Sequence, residues 1–113
     1  MRLFAGQSAW VLQRVSALVL LVLLVVGTVA LFMAEPGFAG WQALATSRHG
    51  AVLIVVGFAA LCVHGWIGAR DVVLDYVHSP KARLLLLGLI GTLLIGVLVR
   101  VVLTLAAALA AAA

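Results

Sequence analysis

His64-Gly65-Trp66-Ile67-Gly68-Ala69-Arg70-Asp71-Val72-Val73-Leu74-Asp75-Tyr76 opens inside an apolar run and closes in charge and a phenol. A stretch of this kind crosses from membrane interior to membrane surface. On a helix, His64 and Asp75 stand eleven residues apart, close to three turns, so they share a face. Gly68 and Asp71, four and seven positions on, lie on it too. At roughly 1.5 Å per residue the rise from His64 is about 16 Å to Asp75 and about 18 Å to Tyr76, enough to join a buried site to a surface site.

Composition agrees with a membrane environment. Of 113 residues, 67% are hydrophobic and 9% charged, where a water-soluble domain carries roughly a quarter charged residues. Seven basic residues face three acidic ones, for a net charge of +4. The basic residues are scattered and alternate with no aromatic surface, which argues against nucleic acid as a partner and leaves the excess as a report of topology. The one cysteine, Cys62, lies in an apolar segment, can form no internal disulfide and reads as a small hydrophobe.

Working outward from the quoted stretch, the span that contains it covers about residues 50–70. It follows Arg48-His49-Gly50 and is closed by His78-Ser79-Pro80, where the residue before proline is pushed away from helical angles. A third span runs over about 84–104 into an alanine-rich tail. Ahead of both, residues 11–33 are apolar except for Gln13, Arg14, Ser16 and Thr28 and are long enough to cross at about 20 residues per span. The uninterrupted apolar run from Ala17 to Ala34 exceeds the roughly 7–15 residues of a signal-peptide core, so a retained helix is the reading. Glu35-Pro36-Gly37 breaks the first span, and residues 38–47, with Trp41 among them, form a short interfacial helix or a loop. The expected fold class is an all-α membrane protein, one domain over 1–113 with three transmembrane helices. Arg2, Arg14, Arg70, Lys81 and Arg83 fall on one side, Arg48 and Arg100 near the other. This bias places the N-terminus and the 70–83 loop in the cytoplasm. Gly88, Thr92 and Gly96 recur every four residues on the third helix, with Gly65 and Ala69 a shorter version on the second. Such ridges serve packing within the chain or docking of a partner. The polar face of the second helix is hard to bury in so small a bundle, and a partner subunit is expected.

The candidate functional residues follow from depth. His64 lies roughly 20 Å from the outer end of its span and about 10 Å from the cytoplasmic face. An ionisable side chain there either hydrogen-bonds a neighbouring helix as neutral imidazole or ligates a haem through a ring nitrogen. Zinc is disfavoured, since no His, Cys or acid stands at i+3 or i+4. Arg14, one turn into the first span, either snorkels to lipid phosphates or pairs with a buried anion such as a haem propionate. Ser16 can add a hydroxyl donor or bond its own backbone. Asp75 and Tyr76, just beyond the second span, are either a solvated acid and a belt anchor or a quinone site. In the latter the phenol donates to a carbonyl and the carboxylate orients an arginine or relays a proton. Arg70 and Asp71 read as surface charges, Trp10, Trp41 and Trp66 as belt or packing residues, His49 and His78 as solvated.

The run His64-Gly65-Trp66-Ile67-Gly68 followed by Asp75-Tyr76-Val77 resembles the second-helix signature of the hydrophobic membrane-anchor subunit of succinate dehydrogenase (complex II, the D-subunit type). Trp10-Val11-Leu12-Gln13-Arg14-Val15-Ser16-Ala17 is similar to that family's first-helix opening, and the likeness extends over nearly the whole chain. The resemblance implies a bundle shared with a cytochrome b-type anchor subunit, and a role without catalytic activity alone, in a complex of the bacterial inner membrane that serves the tricarboxylic acid cycle. It implies that His64 is an axial ligand to the iron of a haem b shared with that subunit, that Arg14 contacts the haem propionates, and that Tyr76 and Asp75 form part of the ubiquinone site. FAD and iron–sulfur clusters would belong to the flavoprotein and iron–sulfur subunits docked on the cytoplasmic face. The chain itself has no flavin motif and no cysteine cluster. Rival readings are the related fumarate reductase anchor, a small proton-coupled transporter using His64 and Asp75 as a relay, and a structural anchor that has lost its haem.

Overall fold

Turn and cap chemistry, rather than loss of hydropathy, separates the helices. The computed structural model of the chain describes residues 5–113, with side chains from Gln7 onward; Arg2, counted above toward the orientation, lies outside these residues. Four helices follow in order: α1 (Ala5–Met33), α2 (Phe38–Ala45), α3 (Arg48–Tyr76) and α4 (Pro80–Ala112). The described residues contain no strand. Three of the helices are long and apolar enough to cross a membrane, with mean hydropathies of 2.9, 2.2 and 2.6 in chain order. The chain is therefore an all-helical, multi-pass membrane protein.

These helices overrun the apolar stretches read from sequence. The first begins at Ala5 rather than Val11, the second extends to Tyr76 and the third starts at Pro80. Nothing in residues 5–10 breaks a helix, and polar residues outside the hydrocarbon are tolerated there. α1 ends at Glu35-Pro36-Gly37, where Gly37 takes φ +92°, a left-handed conformation that costs a side-chain-bearing residue. α3 starts at Ser47, whose hydroxyl oxygen accepts from the Gly50 N–H at 3.0 Å, a cap worth about 1 kcal/mol. Ser79 caps α4 in the same way, with Pro80 in its first turn where no donor is missed. The segment that sequence left as helix or loop is helix α2.

α3 is the central element. It packs along both α1 and α4, while α2 lies across the ends of α1 and α3. Trp66 of α3 rests on Gly91 of α4, where an added Cβ would sit 3.3 Å from the ring. The Cys62 thiol reaches the Leu94 carbonyl across the same interface at 3.5 Å. In contrast, Gly88, Thr92 and Gly96 are exposed, with nothing within 4 Å of a Cβ built on either glycine. Packing inside the chain therefore uses Gly91, and the predicted ridge faces outward. Two hydroxyls in the apolar spans are satisfied locally: Thr28 donates to the Leu24 carbonyl at 2.7 Å and Thr104 to the Arg100 carbonyl at 2.8 Å.

A candidate site along the central helix

Where α1 crosses α3, polar groups meet inside an otherwise apolar bundle. Gln13 and Ser16, three residues apart, lie on one face of α1, and the facing residue of α3 is His64. The His64 Nδ1 lies 3.3 Å from the Gln13 carbonyl oxygen and 3.2 Å from Ser16 Oγ. Ser16 Oγ donates to that same carbonyl at 3.0 Å. Ser16 is 5% exposed and is the one buried polar side chain among the described residues. A hydrogen bond between helices at this depth is worth about 1 kcal/mol. The Gln13 side-chain amide lies against Gly68, one turn along α3, and its Oε1 is buried without a hydrogen-bond partner among the described residues.

The imidazole is thus held on one side only. A carbonyl oxygen cannot donate, so the contact with Gln13 calls for a hydrogen on Nδ1. The other nitrogen, Nε2, then carries the lone pair, and it has no hydrogen-bond partner among the described residues. Arg14 follows Gln13 directly and is therefore level with His64, but it is exposed. Its guanidinium stacks over the Trp10 ring, 5.2 Å from the centroid, a cation–π contact between residues one helical turn apart.

Farther along α3 the same face reaches the surface. Arg70 and Asp71 form an exposed ion pair at 3.0 Å, consistent with their reading as surface charges. Asp75 is exposed and Tyr76 is 79% exposed. Neither side chain has a hydrogen bond or ion pair within the described residues. Arg83, from the first turn of α4, holds the end of this helix: its Nη2 donates to the Leu74 carbonyl at 2.8 Å and its Nε to the Val77 carbonyl. The two carbonyls bracket Asp75 and Tyr76. His49 and His78 are exposed at helix ends, and Trp66 is a packing residue.

The structure therefore brings His64 together with Gln13 and Ser16, and leaves Arg14 exposed on Trp10 and Asp75 and Tyr76 exposed three turns away. Sequence reasoning missed the partners of His64 and the clamp by Arg83. The available signal for the first was the Gln13–Ser16 spacing, which places two polar groups on one face of an apolar helix.

Three membrane-crossing helices around a central one, with a polar level at its heart and an exposed acid–phenol pair at its end, define a polytopic membrane subunit. A family model described as succinate dehydrogenase/fumarate reductase transmembrane subunit matches residues 1–99. The chain belongs to this family and is a subunit of the membrane part of such a complex. A comparison with curated proteins finds no match.

The family resemblance implies a haem. Among the described residues no three His, Cys, Asp or Glu side chains converge, but a haem iron would ask this chain for only a single nitrogen. An imidazole tethered through Nδ1, with its Nε2 lone pair uncommitted, has the form such a ligand takes. The residues fit.

Proposed function

We propose that the chain is the D-type anchor of a bacterial succinate:ubiquinone oxidoreductase. It holds the flavoprotein and iron–sulfur subunits at the inner membrane, co-ligates haem b with a cytochrome b-type partner, and supplies one wall of the quinone site. The observation that carries this reading is the state of His64: Nδ1 hydrogen-bonded to the Gln13 carbonyl, Nε2 unengaged, at a depth where an ionisable residue is costly without a task.

In this role His64, through Nε2, would hold the haem iron, and the Arg14 guanidinium would neutralise the propionates. When bound, the haem would supply one-electron redox chemistry. The Tyr76 phenol donates a hydrogen bond to a carbonyl of ubiquinone at the cytoplasmic surface, and Asp75 beside it holds or relays a proton. Two electrons delivered by the iron–sulfur subunit and two protons from the cytoplasm convert the quinone to the quinol. The Asp75–Tyr76 pair matches the signature of the succinate dehydrogenase anchor. The reverse direction, fumarate reduction, is set by the quinone and its potential rather than by these residues.

The test is a dithionite-reduced minus oxidised spectrum of the purified complex, wild type against His64→Ala. A b-type α-band lost or shifted in the variant, with the flavin and iron–sulfur subunits co-purifying, is the expected result. An unchanged band removes His64 as ligand; a complex with neither haem nor soluble subunits removes the anchor role.

A further inference from the structure

Ser16 is the most buried polar side chain described, and neither transport nor anchoring requires a hydroxyl there. Its surroundings set its hydrogen bonds. The hydroxyl proton goes to the Gln13 carbonyl at 3.0 Å, which leaves an Oγ lone pair directed at His64 Nδ1, 3.2 Å away. Nδ1 also lies 3.3 Å from the Gln13 carbonyl oxygen. The three groups close a triangle in which a single Nδ1–H is shared by two acceptors on α1.

We infer that Ser16 is a positioning residue for the His64 ligand: with the Gln13 carbonyl it fixes the Nδ1–H tautomer, sets the plane of the imidazole ring and strengthens electron donation through Nε2. This inference rests on the reading of His64 as a haem ligand. Two acceptors at separate points restrain ring rotation better than one carbonyl alone, since rotation must break both. An N–H that donates hydrogen bonds also shifts electron density across the ring toward the opposite nitrogen, which favours the oxidised metal and lowers its potential. The reverse assignment, with Ser16 donating to Nδ1, would place a hydrogen on Nε2 and leave a carbonyl facing a bare lone pair at 3.3 Å; two acceptors in contact repel. The helix geometry supplies the arrangement without strain: Ser16 bonds the carbonyl three residues back, as hydroxyls in apolar helices do, and in doing so turns its lone pair across to α3.

The experiment compares Ser16→Ala, Ser16→Val and Ser16→Thr with wild type and His64→Ala in the purified complex, by redox titration of the haem and by its low-temperature electron paramagnetic resonance spectrum. Val and Thr match each other in shape and differ in the hydroxyl. The expected result is an upward shift of the haem midpoint potential and altered g values in Ser16→Ala and Ser16→Val, with both restored in Ser16→Thr. Should Ser16→Ala not assemble, the Val–Thr pair carries the comparison, since volume is held constant. A wild-type potential and g values in both Ala and Val variants, while His64→Ala loses or shifts the b-type signal, overturns the role of Ser16 and leaves His64 as ligand. A wild-type signal in His64→Ala overturns the ligand reading itself, and the role of Ser16 with it.

Discussion

Tyr76 ends α3 79% exposed and with its hydroxyl without a partner among the described residues, so in the proposed site the hydroxyl is free to donate to the quinone. Removing it should cost what one such bond contributes, about 1 kcal/mol, or roughly a fivefold drop in kcat/KM for quinone reduction. Tyr76→Phe is therefore expected to lower succinate:quinone reductase activity while succinate oxidation with an artificial acceptor, which bypasses the membrane site, is retained. Equal loss of both activities would point to assembly instead. The residue scale is also where sequence spoke most clearly and then stopped. His64 stood out because an ionisable group in a span is costly, and the three-turn spacing to Asp75 followed from helical geometry. That His64 meets a backbone carbonyl of α1 could not be read, because every residue has a carbonyl and only the rotation of α1 about its axis selects that of Gln13. Arg14 shows the same limit: its stacking on Trp10 is visible in the i−4 spacing, but whether it turns toward lipid or toward a partner depends on that rotation.

At the scale of elements, the boundary between α3 and α4 combines a stop and a clamp. Val73 to Val77 closes the last turn of α3 with a backbone bond of 3.0 Å, and Ser79-Pro80 starts α4 two residues later. The Ser–Pro signal was legible because both halves have a local cause: a hydroxyl cap and a proline where no N–H is needed. The clamp was not, since Arg83 reaches back six and nine residues to carbonyls and no short motif encodes that. Its guanidinium satisfies two carbonyls that a helix end would otherwise leave to water. Water can compete for so accessible a site, so the clamp contributes about 1 kcal/mol rather than the larger value of a buried charged bond. In Arg83→Met, which keeps the stem and loses the donors, hydrogen exchange in peptides covering residues 74–79 is expected to quicken about fivefold. The KM for quinone should rise, with the haem spectrum unchanged because His64 lies about 15 Å deeper by helical rise. Unaltered exchange across 74–79 would show that the loop is fixed by something other than Arg83.

At the scale of the whole molecule, two ends with different chemistry follow from three antiparallel crossings. α1, α3 and α4 alternate in direction, which gathers Arg70, Lys81 and Arg83 at one end with Asp75 and Tyr76, keeps Arg14 in the same half at the level of His64, and leaves α2, Arg48 and Arg100 toward the other. This grouping was readable because hydropathy and lysine–arginine bias act on whole spans, while the outward turn of the Gly88–Thr92–Gly96 ridge was not, since small residues every fourth position suit an internal or an external face equally. The bias predicts that the basic end lies in the cytoplasm, and the proposed function requires this orientation, because quinone chemistry at Tyr76 needs electrons from subunits that dock on that side. Orientation can be tested apart from activity. In a Cys62→Ser background, where the serine hydroxyl can still donate to the Leu94 carbonyl that the thiol reaches, single cysteines are placed at Ala43 on α2 and at His78 before α4, both exposed. A membrane-impermeant maleimide added to intact spheroplasts is expected to label Ala43→Cys and to spare His78→Cys until the membrane is opened. Labelling of His78→Cys in intact spheroplasts, with Ala43→Cys protected, would place Tyr76 on the outer face, out of reach of cytoplasmic electron donors, and the quinone-reduction reading would then fail whatever His64 binds.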